Sequence, residues 1–508
     1  MTMGVHLYVS GSSLRSQDGV GVGSSVAAAV AVGALCAAGI YGAFLGLAAD
    51  SDSRSLVEAA QNILAGRYIP SRSFGNPLYE GLVAGTLATG AGLVAVNLLS
   101  LMGSLIAVGA AAVLARMIGA TPIGVSAVIV AVALHPLMLT NSSALMETEA
   151  SLALALAFCC LSLHAGLARD PSRSALVATA VIGVALVLTR IDAAILVVSM
   201  GTALAYHGWR TGSLRLLVMQ LALLVLIGVV SISIYSVLNG GLSFLSADVL
   251  QTEPWGRRLV RAVLGVGNAL QLVGIFAVLI FLMDLYGKTS AVPIGVRRTN
   301  IVRDVFGHAL LFAIVLFAVR FALLPDELEY LLIPLVLGLV WLMSAVNSHL
   351  VVGIILALSI MQNVASIFLF DRSPSGELVF RPALAAGGLW QDMSLRRNVL
   401  TIESEGFRRW LAAEAGLPDQ IVELQTHGPG FISKSGALVI SRLNLYQIDN
   451  PRLMQPRYRS AFYDQIRACD RELFPGTGWR VLQRPAVERA SQAYLSGDHL
   501  TCELVTRQ

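Results

Sequence analysis

Two carboxylates that follow the first long apolar run are the residues best suited to chemistry. Asp50 and Asp52 lie at the end of the apolar run 25–49, where lipid gives way to water. A carboxylate there can accept a proton from a substrate hydroxyl as a general base, or hold a divalent cation. Asp52 is equally suited to cap a helix over 53–65, whose apolar residues recur with helical spacing before Gly66. The residues alone leave the base, the cation ligand and the helix cap open.

Ionisable residues also interrupt several later apolar runs. Glu147 starts one run, where it can bind substrate hydroxyls, help to hold a cation or begin a helix. Arg190 and Asp192 break the run 174–207, and Arg320 ends another. Because a guanidinium group offers several donors in a planar fork, Arg190 and Arg320 are suited to bind an anionic group. An ion pair between Arg190 and Asp192 is the structural alternative.

A third basic group follows Trp255 and contains Arg257, Arg258 and Arg261. Arginines at helix ends commonly place their charge at the membrane interface, and this role is favoured here. The alternative is that Arg258 and its neighbours bind a lipid phosphate.

The composition predicts that most of the chain lies in a membrane. Of 508 residues, 56% are hydrophobic and 13% are charged, with a mean hydropathy of +0.73, whereas a soluble protein carries roughly 25% charged residues. Residues 371–508 are different, because they contain 17 Lys/Arg and 15 Asp/Glu. The net charge of +4 is small and no basic cluster with aromatic residues is present, which argues against a nucleic-acid partner. The expected partners of the apolar part are membrane lipids.

Eleven segments are apolar enough to be transmembrane helices, since about 20 apolar residues cross a bilayer. The predicted spans are 25–49, 91–117, 122–140, 145–168, 174–189, 191–207, 214–238, 263–286, 306–324, 328–346 and 348–370. The first is too long for a signal peptide and is read as a retained span. The predicted fold class is therefore an all-α polytopic membrane bundle over 25–370, preceded by a cytoplasmic segment 1–24 and containing a first outer loop 50–90.

Basic residues in the short loops predict the orientation of the chain. With the N-terminus in the cytoplasm, the cytoplasmic loops contain Arg116, Arg169, Arg173, Arg210, Arg215, Lys288, Arg297, Arg298 and Arg303. An odd number of spans then places the tail, and nearly all acidic residues of the membrane part, on the outer side. Short loops and Ala/Val/Leu-rich spans suit a bacterial inner membrane, whose outer side is the periplasm.

The charged tail, 371–508, is predicted to be a soluble C-terminal α/β domain. Helices are expected over 404–415 and 461–471, and strands over Ile421–Leu424 and Ala437–Ile440. A disulfide between the tail cysteines, Cys469 and Cys502, stays open for a domain outside the cytoplasm. No cysteine spacing indicates a zinc site.

Several short motifs, taken in order, resemble the GT-C glycosyltransferases, multi-spanning enzymes that use polyprenyl-phosphate-linked sugars. The spacing Asp–x9–Asn–x3–Gly at 52–66 and Gly-Asn-Pro-Leu-Tyr at 75–79 are similar to their first outer loop. Three later motifs resemble those of bacterial arabinosyl- and mannosyltransferase-like members: Leu145-Met146-Glu147-Thr148-Glu149, Leu188-Thr189-Arg190-Ile191-Asp192 and Glu329-Tyr330-Leu331-Leu332-Ile333-Pro334. The chain departs from the family in having Ile191 for a proline and Glu329 for an arginine.

The resemblance implies an inverting transfer of a sugar from a polyprenyl-phosphate donor to an envelope glycan or lipid acceptor. Asp52 would be the general base, with Asp50 as the second candidate. The donor phosphate would be bound by Arg190, Arg320 and Arg258, and the substrate by Glu147, Asp192, Glu329 and Tyr330. A divalent cation is the one candidate cofactor, and none is firmly predicted.

Two other functions are compatible with a polytopic chain. A transporter or flippase usually has broken helices, charges at mid-membrane and internal repeats, whereas the charges here lie at one face and no repeat is visible. A membrane scaffold with a partner-binding tail is the third reading. The loop around Asp52 separates the enzyme from both, because only the enzyme depends on it.

Overall fold

The computed structural model describes residues 22–45, 51–72, 74–168, 171–241, 255–285, 301–323, 328–372, 378–386, 423–425 and 439–441, with Leu389 and Met393. Its helices are α1 (Val22–Ala43), α2 (Ser51–Leu64), α3 (Pro77–Ala88), α4 (Gly92–Met117), α5 (Pro122–Ala133), α6 (Pro136–Asn141), α7 (Thr148–Leu167), α8 (Arg173–Thr189), α9 (Ala194–Arg210), α10 (Leu214–Leu238), α11 (Trp255–Leu285), α12 (Ile301–Leu323), α13 (Leu332–Met343) and α14 (His349–Val364). Short 3-10 turns, Ile191–Ala193 and Leu328–Leu331, precede α9 and α13.

The helices of the described chain have the lengths that a multi-pass membrane protein requires. Six are long and apolar enough to cross a membrane: Gly23–Ala43, Gly92–Met117, Thr148–Leu167, Ile191–Arg210, Leu214–Leu238 and Ile301–Leu323. Five shorter apolar helices accompany them: Pro122–Ala133, Arg173–Thr189, Ala269–Ile280, Glu329–Met343 and His349–Val364. Side chains such as Val225 and Val237 of α10 are more than half exposed, as expected where a helix faces lipid.

Small residues let the central helices approach closely. α4 packs along α7, and a Cβ at Gly103 of α4 would stand 3.0 Å from the backbone nitrogen of Ala150. α1 and α5 lie beside α4 and bury Ala31 and Ala127 completely. Close contact through glycine and alanine is typical of helices packed in a membrane. Gly103 therefore allows the first turn of α7 to pack directly against α4.

Helix ends at the turns follow ordinary capping chemistry. Ser172 precedes α8 and its hydroxyl accepts a hydrogen bond from the Ala175 nitrogen at 3.1 Å. Thr121 caps α5 in the same way, with Pro122 in the first helical position. Gly119 and Gly212, at φ +93° and +68°, end α4 and α9.

The prediction of one span over 122–140 is wrong, because a break separates α5 from α6. Pro136 lacks the N–H that a continuous helix needs, and its ring disfavours helical geometry in the preceding residue. His135 bridges the break: its Nδ1 accepts from the Leu137 nitrogen at 3.3 Å, and its Nε2 lies 3.0 Å from the Ala269 carbonyl oxygen. His135 is thus a buried residue that holds the two short helices together.

A second break lies in α11, which begins eight residues before the predicted 263–286. Gln271 interrupts the helix with φ 54° and ψ −168°. The Gln362 side chain accepts a hydrogen bond from the Val273 nitrogen, just beyond the break, at 3.3 Å. A side chain of α14 therefore replaces a partner that the regular helix would supply.

The last predicted span, 348–370, is too long. α14 ends at Val364 and a strand, β1 (Ala365–Arg372), follows directly and pairs antiparallel with β2 (Leu378–Ala386). The run from Ser366 to Phe370 contains β-branched and aromatic residues that favour a strand. Apolar composition alone did not distinguish this strand from the end of a helix.

The described part of the tail contains a second, parallel pair of strands. β3 (Glu423–Gln425) and β4 (Val439–Ser441) overlap the predicted strands 421–424 and 437–440. The predicted helices 404–415 and 461–471, with Cys469 and Cys502, lie outside the described residues.

Candidate functional site

Charged side chains from distant parts of the chain meet at one end of the bundle. This polar cluster consists of Arg72, Glu147, Thr148, Glu149, Arg190, Asp192, Arg320, Glu329 and Tyr330. Its members lie in the loop between α2 and α3, at the start of α7, between α8 and α9, at the end of α12 and just before α13. Apart from Arg72, each lies at a helix end or within one turn of it, where backbone groups are not all used by the helix.

Arg190 is the centre of the cluster. Its Nε lies 3.0 Å from Asp192 Oδ1, and its Nη1 lies 3.3 Å from Thr148 Oγ1 and 4.0 Å from Glu329 Oε2. The side chain is only 6% exposed. An arginine this deeply buried needs partners of opposite charge, because an uncompensated charge in an apolar bundle is strongly destabilising.

Tyr330 connects Arg190 to Arg320. The two guanidinium carbons lie 4.7 Å and 4.5 Å from the centre of the Tyr330 ring. Arg320 also donates a hydrogen bond to the Tyr330 hydroxyl at 3.2 Å. Two cations are thus held on one aromatic ring, which stabilises each through its quadrupole without cancelling their charge.

Glu147 joins the cluster to the first loop. Its Oε1 lies 3.5 Å from Nη1 of Arg72, and its side chain is almost fully buried. Burial by itself would raise the pKa of Glu147, but the charges of Arg72 and Arg190, with a backbone hydrogen bond, outweigh it and lower the pKa. Glu147 is therefore a carboxylate at neutral pH.

Glu149 is the most deeply enclosed carboxyl group of the cluster. It lies in the first turn of α7 and is 0% exposed. Neither carboxyl oxygen accepts a hydrogen bond from another residue within the described part of the chain. Glu329, Glu147 and Arg190 are close enough for their charges to act on it.

A folded first loop holds Arg72 in place. The Glu80 carboxylate accepts hydrogen bonds from the Ser71 nitrogen at 2.9 Å, the Asn76 nitrogen at 3.1 Å and the Ser71 hydroxyl. Gly75 has φ +71°, and a Cβ there would collide with Tyr68 and Pro70. A glycine is therefore required in the Gly-Asn-Pro-Leu-Tyr motif for the loop to close.

The helix that follows the first span is confirmed, but its start differs from the prediction. α2 begins at Ser51, so Asp52 lies in its first turn rather than before it. The helix ends before Gly66, which has φ +75°, as predicted. The Ser53 hydroxyl lies 3.8 Å from the sulfur of Met146, next to Glu147. The backbone of Asp52 is therefore beside the polar cluster, while Asp50 lies outside the described residues.

The structure does not connect Arg258 to the cluster by any hydrogen bond or ion pair of the described residues. Arg258 is buried in the first turn of α11, with its guanidinium 5.3 Å from the centre of the Trp255 ring. Within the residues that the structure describes, no three His, Cys, Asp or Glu side chains are grouped so that they could hold a metal ion.

Sequence reasoning did not single out Arg72, Thr148 or Glu149 as site residues. Arg72 lies in a turn-rich segment, where an arginine is usually a solvated surface residue. Thr148 and Glu149 lie in the same short motif as Glu147. A second carboxylate, two residues after Glu147, is the sequence signal that could have identified Glu149.

Comparison with protein-family models, curated proteins and solved structures finds no match to this chain. The fold and the site define it as a multi-pass membrane protein with a buried arginine and carboxylate cluster at one end of its helices.

Proposed function

We propose that this protein is an inverting glycosyltransferase of the GT-C kind, which moves a sugar from a polyprenyl-phosphate donor to an envelope glycan or lipid acceptor. The observation that carries the proposal is the convergence of two arginines, Arg190 and Arg320, with carboxylates beside the start of α2. Cations near a phosphate and a base near a hydroxyl are the two requirements of such a transfer.

In the proposed reaction, the Asp52 carboxylate takes the proton of an acceptor hydroxyl. The hydroxyl oxygen forms a bond to the anomeric carbon of the donor sugar as the bond from that carbon to the phosphate oxygen breaks. The electron pair leaves with the polyprenyl phosphate, whose charge Arg190 and Arg320 stabilise. Attack from the face opposite the phosphate inverts the anomeric centre. Asp50 is the second candidate for the base.

The location follows from the predicted orientation. With the polar cluster on the outer side of a bacterial inner membrane, the donor lipid reaches the site from within the bilayer and the acceptor from the periplasm. The tail, 371–508, forms a periplasmic α/β domain in this proposal and helps to bind the acceptor.

The test compares envelope glycans and glycolipids by mass spectrometry in cells that lack the protein and in rescued cells with equal membrane levels of each variant. The rescuing chains are wild type, Asp52→Asn, Asp50→Asn and a control, Glu58→Gln. Glu58 is an exposed carboxylate six residues along the same helix as Asp52.

The proposal expects one sugar residue to disappear without the protein, to return with wild type and Glu58→Gln, and to stay absent with Asp52→Asn. If Asp52→Asn rescues the sugar and Asp50→Asn does not, Asp50 is the base. Full rescue by both variants contradicts an aspartate-based transferase.

The helix breaks at His135 and Gln271 favour a second candidate, a transporter or flippase for a lipid-linked or small substrate. In that case the unmodified lipid-linked precursor accumulates on the inner side of the membrane, whereas loss of a transferase leaves it on the outer side. The side is determined by treating intact cells and broken membranes with periodate, which does not cross the bilayer.

A further inference from the structure

The polar cluster contains both hydrogen-bond donors and acceptors that its own residues leave unused. The acceptors are both oxygens of Glu149 and Oε2 of Glu147, and the donors are Nη2 of Arg190 and Nη1 of Arg320. All four side chains are joined to the cluster by the contacts described above. No partner for these atoms lies among the residues that the structure describes. Buried polar atoms are ordinarily satisfied, so atoms of both kinds at one place indicate a ligand that supplies both kinds of partner.

The charge of the cluster restricts what that ligand is. The cluster contains three guanidinium groups, of Arg72, Arg190 and Arg320, and four carboxyl groups. Around Glu149, the carboxylates of Glu147 and Glu329 repel a phosphate, and Arg190 repels a cation. Uncharged hydroxyl groups are repelled neither by the carboxylates nor by Arg190. A hydroxyl also both donates and accepts, so neighbouring hydroxyls can bridge the carboxylates to the arginines.

From these observations we infer that Glu149 binds hydroxyl groups of a sugar in the polar cluster and thereby determines which sugar is used. The inference rests on the proposed function, because it assigns the hydroxyls to the donor sugar or to the acceptor sugar. It adds a residue, Glu149, that neither the base nor the phosphate ligands account for. A buried site of this kind rejects an analogue that lacks the hydroxyl, since the carboxyl group would then stay unsatisfied.

The experiment measures binding by the full chain in lipid nanodiscs. The probes are farnesyl phosphate, farnesyl-phosphoryl-mannose and farnesyl-phosphoryl-arabinose. Octyl mannoside and octyl arabinoside, added with saturating farnesyl phosphate, report on an acceptor sugar. Wild type is compared with Glu149→Gln, which keeps the volume and replaces the carboxyl group by an amide, and with Ser162→Ala, a buried change further along α7.

Wild type is expected to bind at least one sugar-bearing probe more tightly than farnesyl phosphate alone. Glu149→Gln is expected to weaken the binding of that probe about tenfold or more, because a buried polar group then lacks its matching partner. The same substitution leaves the affinity for farnesyl phosphate unchanged, and Ser162→Ala leaves the affinity for every probe unchanged. Loss confined to the farnesyl-phosphoryl sugars assigns Glu149 to the donor, and loss confined to the octyl glycosides assigns it to the acceptor.

Other outcomes overturn the inference, and they separate it from the proposed function. If wild type prefers a sugar-bearing probe and Glu149→Gln retains that preference, the role of Glu149 is wrong and the transferase proposal stands. If Glu149→Gln weakens farnesyl phosphate equally, Glu149 only supports the fold. If wild type prefers no sugar-bearing probe, both proposals fail.

A second measurement needs no substitution, in case Glu149→Gln does not fold. Dicyclohexylcarbodiimide modifies carboxyl groups within membranes, and the modified peptide is quantified by mass spectrometry. The sugar-bearing probe that wild type prefers is expected to protect Glu149, whereas farnesyl phosphate alone does not. Equal modification with both probes contradicts contact between Glu149 and the sugar.

Discussion

At the scale of single residues, Arg190 combines two roles that one substitution can separate. Its charge compensates Asp192 and Glu329, while its planar fork reaches Thr148 and stacks on Tyr330. Lysine keeps the charge but has neither the fork nor the planar group. Arg190→Lys is therefore expected to preserve the compensation of charge in the cluster but to impair the binding of a phosphate.

We predict that Arg190→Lys folds and loses at least tenfold in sugar transfer, because a phosphate loses a bidentate partner. Arg190→Ala is expected to lower the free energy of unfolding by about 3–5 kcal/mol, since it leaves carboxylates uncompensated. Thermal unfolding in detergent and transfer to a lipid acceptor are the two measurements. Arg303→Lys is the control, since Arg303 also stacks on an aromatic ring, that of Trp341. A fully active Arg190→Lys variant would contradict the proposal that Arg190 binds the donor phosphate.

Glu147 makes stability depend on pH in a predictable direction. Its folded-state pKa lies below the ordinary value of 4.5, mainly because two arginines outweigh the effect of burial. A lowered pKa means that its contribution is fully present above pH 4.5 and disappears as the pH falls through the folded-state value. The ion pair with Arg72 thus remains at neutral and mildly acidic pH.

We expect Glu147→Gln to lower the free energy of unfolding by about 1–3 kcal/mol at pH 7, because Arg72 and Arg190 each lose a charged partner. The difference from wild type should persist at pH 5 and shrink below pH 4.5. Unfolding midpoints at pH 7, 5, 4 and 3 measure it, with Glu58→Gln as the exposed control. A difference that is constant over this range would show that the charge of Glu147 contributes nothing.

At the scale of the elements, close helix contacts decide where substitutions are tolerated. Gly124 lies in the first turn of α5, and a Cβ there would stand 2.8 Å from the Ser344 carbonyl oxygen and 3.1 Å from that of Val346. These are backbone atoms, which cannot move aside as a flexible side chain would. Gly109 of α4 has nothing within 4 Å of the same position.

Gly124→Ala is therefore predicted to destabilise the protein by about 1–3 kcal/mol through overpacking. Gly109→Ala should unfold at or above the wild-type midpoint, because alanine has the higher helix propensity. Thermal unfolding of the two purified variants checks the pair. Equal midpoints would mean that α5 and the turn after α13 are not packed as closely as described.

The sequence predicts the elements better than it predicts their interruptions. Apolar runs and the pair Arg190 and Asp192 locate α8 and α9 closely, because a charge inside a run forces a turn. The break at Gln271 leaves no such signal, since it depends on Gln362 from another helix. In the site, the motifs predict Arg190, Glu147 and Glu329, but the approach of Arg72 depends on the folded path of a loop.

At the scale of the whole molecule, the orientation of the helices in the membrane decides the side on which the polar cluster lies. The turn at Thr89, between α3 and α4, and the turn at Thr211, between α9 and α10, are both exposed. In the predicted orientation they face opposite compartments, with Thr89 outside and Thr211 in the cytoplasm.

Single cysteines at these two positions test this, in a chain whose five native cysteines are replaced. A membrane-impermeant maleimide added to intact cells is expected to label Thr89→Cys and not Thr211→Cys. Both should be labelled in broken membranes. The reverse pattern would place the polar cluster on the cytoplasmic side and remove the periplasmic acceptor from the proposal.

The distribution of the polar cluster along the chain has a consequence for biosynthesis. Arg190 is made together with Asp192, so this ion pair can form as soon as α8 and α9 have emerged from the ribosome. Glu329 and Tyr330 are translated much later, after α12. Until then the nascent protein holds Arg190 at the end of its inserted helices with part of its compensation missing. The cluster can therefore be completed only after α12 and the turn before α13 have been translated.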